Sequence, residues 1–380
     1  MQPNQPSNET ADKALAARLD RLTAPGRLIR EEHGKIRCLA CAHRCLLSEG
    51  QRGVCKVRFV REGRLRVPFG YVNGVGLDPI EKKPFYHLLP RAKTLTFGML
   101  GCNFHCPFCQ NWITSQSLRD PAAGDSVREI SPEELVAGAK RAGAQLVVSS
   151  YNEPLITAEW AAAIFQKAKE AGMLCALVSN GHGTPEVLEF LRPVTDACNV
   201  DLKSFSERAY RKLGGSLRAV LETIRKAREL GLWIEAVTLL VPGFNDSEEE
   251  LRDMARFLVS VSPDIPWHVT AFFPNYKMTN TPPTRARDAL RAAQIGVEEG
   301  LRFVYTGNLP GMVGEWENTR CPSCGATLIQ RYGFHIIRNA LDEEGRCPEC
   351  GARIPGVWRR PSAPQKFTEK PDRGERRHSP

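Results

Sequence analysis

The stretch TLTFGMLGCNFHCPFCQNW, residues 94–112, decides how this chain is read. It opens on a short apolar run, Thr94 to Leu100, of the length and composition of a buried strand. Behind that run come Cys102, Cys106 and Cys109 in the spacing C-x3-C-x2-C. Positions i, i+4 and i+7 share one face of a helix, so a cysteine stripe packed into a core is one reading of the spacing. Pro107 opposes it, because proline lacks an N–H and breaks a helix begun before Cys102. With Gly101 and Asn103, it makes the segment a loop at a strand end. Three thiolates cannot close a tetrahedral zinc site unaided. They can hold three irons of a four-iron, four-sulfur cluster and leave the fourth iron open.

Working outward, the pattern after Thr94 is regular. Apolar runs alternate with amphipathic stretches of helical period: LVVSSY then AEWAAAIFQKAKEAG, LCALVSNG then PEVLEFLRPV, ACNVDLK then LRAVLETIRKARELG. WIEAVTLLVPG then SEEELRDMARFL and WHVTAFFP then TRARDALRAAQIGVEEG continue it, and RFVYTG closes it. Helix starts fall at Ser131-Pro132-Glu133-Glu134 and Asp246-Ser247-Glu248-Glu249, and helix ends at Gly143, Gly172 and Gly231. This is the signature of repeated βα units around a parallel sheet, either an incomplete barrel or an open doubly wound sheet. In both, functional groups collect where strands end. A glycine-rich phosphate loop of either standard form is not seen, which argues against Rossmann or P-loop nucleotide chemistry.

The 380 residues are 42% hydrophobic and 25% charged, enough for a sizeable core and more than one unit. No apolar run approaches the ~20 residues that cross a bilayer, and the first residues lack the apolar stretch of a secretory signal, so a cytoplasmic location is expected. Of the net charge of +9, the Pro-rich tail from Arg359 to Pro380 carries +4, seven Lys/Arg against three Asp/Glu. The remainder is mild and does not demand a nucleic-acid partner. Thirteen cysteines are the informative feature. Eleven fall into three groups, and clustered cysteines in a reducing compartment are metal ligands more often than disulfides. Cys175 and Cys198 stand alone in apolar segments and read as small buried hydrophobes.

The three-cysteine loop with Phe108 before its last cysteine resembles the hallmark of radical S-adenosylmethionine (SAM) enzymes. The resemblance implies an α/β fold, an incomplete (βα)6-type barrel, in which Cys102, Cys106 and Cys109 hold a [4Fe-4S] cluster. The open iron binds the amino and carboxylate groups of SAM, and the backbone at Phe108 contacts adenine. Asn152 and Glu153, in S150-Y-N-E-P after the second barrel strand, take the positions of a Gly-Gly-Glu-type segment that pairs with the SAM amino group, with Asn in place of glycine. Asp201 and Lys203, at the end of the fourth, match an Asp-x-Lys pair that lies beside SAM in the organic-radical-activating branch, which includes pyruvate formate-lyase-activating enzyme. Both side chains point to one face of a strand, so a plain surface salt bridge is the alternative. His268, on the sixth, is expected to line the adenine or substrate pocket, or to be a buried structural histidine.

The order of further parts (E81-K-K-P-F-Y-H, V241-P-G-F-N-D, W267-H-V-T-A-F, Y305-T-G-N-L-P-G, I354-P-G-V-W) resembles the radical SAM member of the three-protein AmmeMemoRadiSam system. The expected units are a flexible lead-in (1–29), an N-terminal cysteine-rich segment (30–90), the barrel (91–310), a zinc-ribbon or rubredoxin-like lobe (311–358) and a disordered basic tail (359–380). A ferredoxin- or flavodoxin-like electron donor is implied. The other proteins of the system, or a protein substrate, are the further partners.

Of the flanking cysteines, Cys321, Cys324, Cys347 and Cys350 form two C-x-x-C knuckles, the spacing of a structural zinc or rubredoxin-type iron. Cys38, Cys41, Cys45 and Cys55 are less regular and fit a structural zinc or an auxiliary iron–sulfur cluster, with His43 between them either a substitute ligand or exposed. A competing view, a zinc-binding module that grips nucleic acid or a protein, uses the ribbon and the basic tail but leaves the βα series and the three-cysteine loop unexplained.

Overall fold

The computed structural model describes residues 8–123 and 126–359. The basic tail expected after Trp358 lies, from residue 360 on, outside them. The seven apolar runs form strands β2 (Lys93–Gly98), β3 (Leu146–Ser149), β4 (Leu174–Ser179), β5 (Ala197–Asp201), β6 (Trp233–Leu240), β7 (Trp267–Ala271) and β8 (Val304–Gly307). They pair in parallel and in chain order, and β1 (Gly74–Pro79) adds to the outer edge of β2 in the antiparallel sense. The barrel is therefore open between β1 and β8.

Helices α2 (Pro132–Arg141), α3 (Ala158–Glu170), α4 (Pro185–Leu191), α5 (Leu217–Glu229), α6 (Glu248–Val261) and α7 (Ala286–Glu298) follow the parallel strands in turn, and α1 (Asn8–Arg21) precedes the sheet. The expected starts hold, since Ser131 caps α2 in a reciprocal box with Glu134 and Ser247 caps α6. Strand alternation decides which core each residue enters. Val147, Cys175, Leu177, Cys198 and Val200 face the helices. Leu146, Val148, Leu174, Ala176 and Ala197 face the hollow of the sheet and meet Ile80, Phe85 and Leu88 there. Cys175 and Cys198 are thus buried, as expected.

Residues 80–92 form a plug across that hollow. The plug is tied to the ribbon, a sheet of Thr319–Arg320, Thr327–Tyr332 and His335–Asn339, through Leu89 N–H on the carbonyl of Val357 (2.7 Å) and Arg331 on the carbonyl of Tyr86 (3.1 Å). At the joint, buried His87 donates through Nδ1 to the carbonyl of Pro355 (2.7 Å) and accepts at Nε2 from the Tyr305 hydroxyl (2.6 Å). Burial pushes its pKa down to about 4.

Two expectations are corrected. The lead-in is not flexible over its described part: residues 8–29 hold α1, with Leu19 buried, and the strand Thr23–Pro25, which pairs with Arg64–Pro68. The barrel sheet also begins at Gly74, not residue 91, because the edge pairing of β1 along all of β2 overrides a local sequence broken by Gly74, Gly76 and Pro79. Among the described residues no helix is long and apolar enough to cross a membrane.

The N-terminal segment is fastened to the barrel by an ion pair inside the protein. Arg58 donates to both oxygens of Glu159 on α3 (2.6 and 2.8 Å) and to the carbonyl of Ile156 (3.0 Å). Glu159→Ala leaves a buried guanidinium without its counter-charge and should destabilise the protein by about 3–5 kcal/mol. The double replacement Arg58→Met with Glu159→Leu should recover most of that, as measured by denaturant midpoints. Equal losses in both would show that the charge is not what matters. For His87, the depressed pKa means that the unfolded chain binds the extra proton first. Stability should therefore fall as pH drops from about 6.5 to about 4, by roughly 3 kcal/mol from this one group. His87→Gln, which keeps a donor and an acceptor, should flatten that pH dependence in thermal unfolding; an unchanged slope would refute the assignment.

Candidate active site

The chain leaves β2 through Gly101, whose φ of +94° and lack of a side chain let it turn under Val57 and the Cys55 carbonyl, 2.9 and 3.2 Å from where a Cβ would stand. Residues 102–111 are loop, as Pro107 predicts, and the helix starts only at Trp112. The Cys102 sulfur accepts from the Phe104 N–H (3.3 Å) and lies 3.7 Å from Asn180 Nδ2, while the Cys109 sulfur is 3.2 Å from the Ser115 hydroxyl. The neighbouring Phe108 ring is buried against Phe244, with centroids 5.4 Å apart.

All three cysteines open on one hollow at the carboxyl ends of the strands, about 100 Å³, which Asn152, Glu153, Asp201 and Lys203 share. A larger cavity of about 420 Å³ continues from Cys106, Phe108 and Cys109 past Asp201 and Lys203 to His268, with Phe334 of the ribbon at its far side. A groove of about 640 Å³ between β1 and α2 exceeds both but carries no thiol or imidazole. The chemistry lies with the smaller pair.

Lys203 Nζ sits 2.8 Å from Asp201, in the cavity wall and not on an open surface, so the plain surface salt bridge is excluded. Burial works against the ammonium, but Asp201 and then Cys106 outweigh it and hold its pKa well above the usual lysine value. In return, Lys203 favours the thiolate of Cys106, although burial still pushes that thiol up to about 12. A trio of neutral thiols, one buried and two partly so, beside a fixed ammonium is a donor set that a cationic cluster would convert to thiolates.

Glu153 and Asn152 line the same hollow, yet much of their hydrogen bonding is internal. Glu153 accepts from the Ser179 hydroxyl (2.7 Å), Leu155 N–H (3.0 Å) and Asn180 N–H (2.8 Å), and burial raises it to about 7. Asn152 Oδ1 accepts from Met99 N–H (3.0 Å). Both therefore stitch strand ends together; Glu153 Oε1 is filled by Leu155 and Ser179, whereas Glu153 Oε2 and Asn152 Oδ1, with one partner each, keep a lone pair for a ligand. His268 lines the larger cavity, and its Nε2 is 2.6 Å from Glu235, which is wholly buried. Glu235 escaped the sequence reading; its signal was an acidic residue inside the apolar run WIEAVTLL.

The ribbon brings Cys321, Cys324, Cys347 and Cys350 together with all four sulfurs within 4.8 Å, two pairs at 3.6 and 3.7 Å. Sulfurs on a tetrahedral ion at about 2.3 Å stand at that spacing. Gly325 and Gly351, at φ of +76° and +73°, turn the chain after each knuckle. Cys38, Cys41 and Cys55 are buried and Cys45 partly so. His43 is not a substitute ligand, since its Nε2 donates to the carbonyl of Asn103 (3.2 Å) and a backbone group of Gly214 also hydrogen-bonds the ring.

Comparison with known proteins agrees with this arrangement. The sequence model of the Radical SAM superfamily matches residues 97–258. An uncharacterized protein of Methanocaldococcus jannaschii is 38% identical over 315 residues, 82% of this chain and 92% of that protein. Pyruvate formate-lyase-activating enzyme of Staphylococcus aureus is 27% identical over 173 residues, 42% of this chain and 67% of the enzyme. Among solved structures, a domain of the pyruvate-formate lyase-activating enzyme of Bacteroides vulgatus overlaps 43% of this chain and 98% of its own at 20% identity, with a TM-score of 0.38. With a full-length relative, the superfamily match and a three-cysteine loop at the head of an open parallel barrel, the chain belongs to the radical SAM superfamily.

Proposed function

We propose that this protein cleaves SAM reductively at a [4Fe-4S] cluster held by Cys102, Cys106 and Cys109, and uses the radical so made to take hydrogen from a substrate in the cavity below. The observation that carries the reading is the opening of three thiols, Cys106 buried and Cys102 and Cys109 partly so, and of the Asp201–Lys203 pair on one hollow at the strand ends. When bound, the cluster and SAM supply the one-electron cleavage of a sulfonium carbon–sulfur bond, which yields a 5′-deoxyadenosyl radical and methionine. Everything else falls to the chain. Lys203 offers its ammonium to the SAM carboxylate, and Asp201 orients it and offsets its charge. Glu153 and Asn152 present oxygens toward the SAM ammonium. The buried loop around Phe108 shields the adenosyl end from water.

Within the superfamily we assign the chain to the AmmeMemoRadiSam type, supported by the order of its parts. Activation of a glycyl-radical enzyme is the second reading, favoured by the likeness to pyruvate formate-lyase-activating enzyme. The cavity walls at Glu81, Tyr86, His268 and Phe334 lie outside the residues that the superfamily model matches, so that match does not carry the substrate side. A cytoplasmic setting with a reduced ferredoxin- or flavodoxin-like donor suits the buried, unpaired thiols. The ribbon cysteines are assigned a structural zinc.

Anaerobically prepared protein should contain at least four irons with sulfide. Cys106→Ala should abolish SAM cleavage and the SAM-dependent change in the cluster's EPR signal. Lys203→Met should keep the cluster but weaken SAM binding about 10–100-fold, the loss of one charge-assisted contact. SAM cleavage at the normal rate by Cys106→Ala, or zinc as the sole metal, would overturn the reading and favour a binding module.

A further inference from the structure

Four cysteines remain without a part in this chemistry. We infer that Cys38, Cys41, Cys45 and Cys55 hold a second iron–sulfur cluster, ligated by protein on every side, which relays single electrons from a carrier protein to the loop of Cys102. The inference rests on the reading of that loop given above.

The Cys41 thiol has Cys38, Cys55 and Cys45 as neighbours. Cys38, Cys55 and Cys45 all act electrostatically on Cys41, whose thiol burial alone already pushes up. The Cys45 and Cys55 sulfurs lie 3.5 and 3.8 Å from the point a Gly53 Cβ would occupy, so the glycine leaves open a cradle that a side chain would fill. Beside it, the guanidinium of Arg58 is buried and influenced by Cys38 and Cys55, and its Nε has no hydrogen-bond partner. A cluster sulfide or bound thiolate is an acceptor of the kind that N–H lacks.

The site also abuts the central loop. The Cys55 carbonyl is 3.2 Å from where a Gly101 Cβ would stand, and the residue after Gly101 is Cys102. Arg119 clamps the two loops by donating to the carbonyls of Val54 and Phe104, and His43 adds its bond to the carbonyl of Asn103. On the other side, Val54 and Lys56 are exposed and Cys45 is partly so, which brings the site within reach of a docked carrier.

A folding role for zinc does not explain this placement. A structural ion serves a lobe too small to have a core, as in the ribbon. Cys38 is instead embedded in the main core of the protein beside Leu39, Leu47 and Val67, and Cys41 and Cys55 pack on Ile156 of the barrel. The relay itself breaks and forms no bond. A one-electron carrier reduces the cluster and leaves oxidised; the cluster returns to its oxidised state as the electron passes to the central site.

Three full-length proteins test this after anaerobic reconstitution with iron and sulfide: wild type, the triple variant Cys102→Ala/Cys106→Ala/Cys109→Ala, and the double variant Cys41→Ser/Cys55→Ser. The triple variant should keep iron and acid-labile sulfide, with a reduced-state EPR signal that SAM does not alter. The double variant should keep the SAM-sensitive signal, but its reduction by reduced ferredoxin should slow about tenfold or more while reduction by dithionite changes less than about twofold. Zinc without sulfide in the triple variant overturns the inference and leaves the proposed function intact. Should the double variant fail to fold, the triple variant alone decides. Wild type without a SAM-sensitive signal, but with sulfide retained in the triple variant, defeats the reading of the Cys102 loop and leaves the second cluster standing.

Discussion

Glu235 is the charge around which the barrel is organised. It lies wholly buried on β6 and takes hydrogen bonds from the backbone N–H groups of Tyr86 and His87, from Trp233 Nε1 (3.0 Å) and from His268 Nε2 (2.6 Å). Isolated burial of a carboxylate is costly, and here the donors offset it so fully that its pKa stays below the usual value despite burial. Because two of those donors are backbone groups of the plug, the plug has one position. Through His87 and Tyr305 that position is passed to Thr319 and the ribbon. The floor of the cavity, one of its walls and the ribbon lobe are therefore set by a single side chain.

The three cysteine groups show how surroundings decide what the same thiol can do. In the ribbon the sulfurs stand at single-ion spacing on knuckles that are half solvent-exposed. In the Cys102 loop they are buried or partly buried beside an ammonium and open on a cavity. In the N-terminal group they are enclosed by core and by a guanidinium already paired with Glu159. Burial raises Cys41, Cys45 and Cys55 in one interior group and all three thiols of the Cys102 loop in the other, so a cluster assembled there would release protons and be favoured as pH rises.

Much of this was legible in the sequence because it is local. The parallel strands, the capped helices and the break at Pro107 follow from period and punctuation, and Asp201 with Lys203 from the resemblance of D-L-K to an Asp-x-Lys pair, although the strand itself ends at Asp201. What escaped is long-range. Strand β1 exists because β2 offers it an edge, and α1 is ordered because Leu19 finds a core. Asn152 and Glu153 line one hollow with the three cysteines, but their ties to Met99, Ser179 and Asn180 depend on how neighbouring strand ends meet. His43 sits amid ligands in sequence and points away from them in space.

The division between matched and unmatched segments follows the division of chemical labour. Residues 97–258 carry the three-cysteine loop, the Ser-Tyr-Asn-Glu-Pro turn and the Asp201–Lys203 pair, all of which face the hollow at the strand ends. The deeper cavity is closed by Glu81 to Tyr86, by His268 and Thr270 on β7, and by Phe334. On the proposed function, a radical of fixed kind would need a fixed cradle, whereas the hydrogen it removes would be chosen by whatever the outer walls hold in reach. Phe334 stands on a hairpin whose lobe is too small to fold on apolar burial alone, so the cysteine knuckles govern a wall of the cavity as well as the lobe itself. An ion held by the ribbon cysteines would thereby bear on which molecule can enter the cavity.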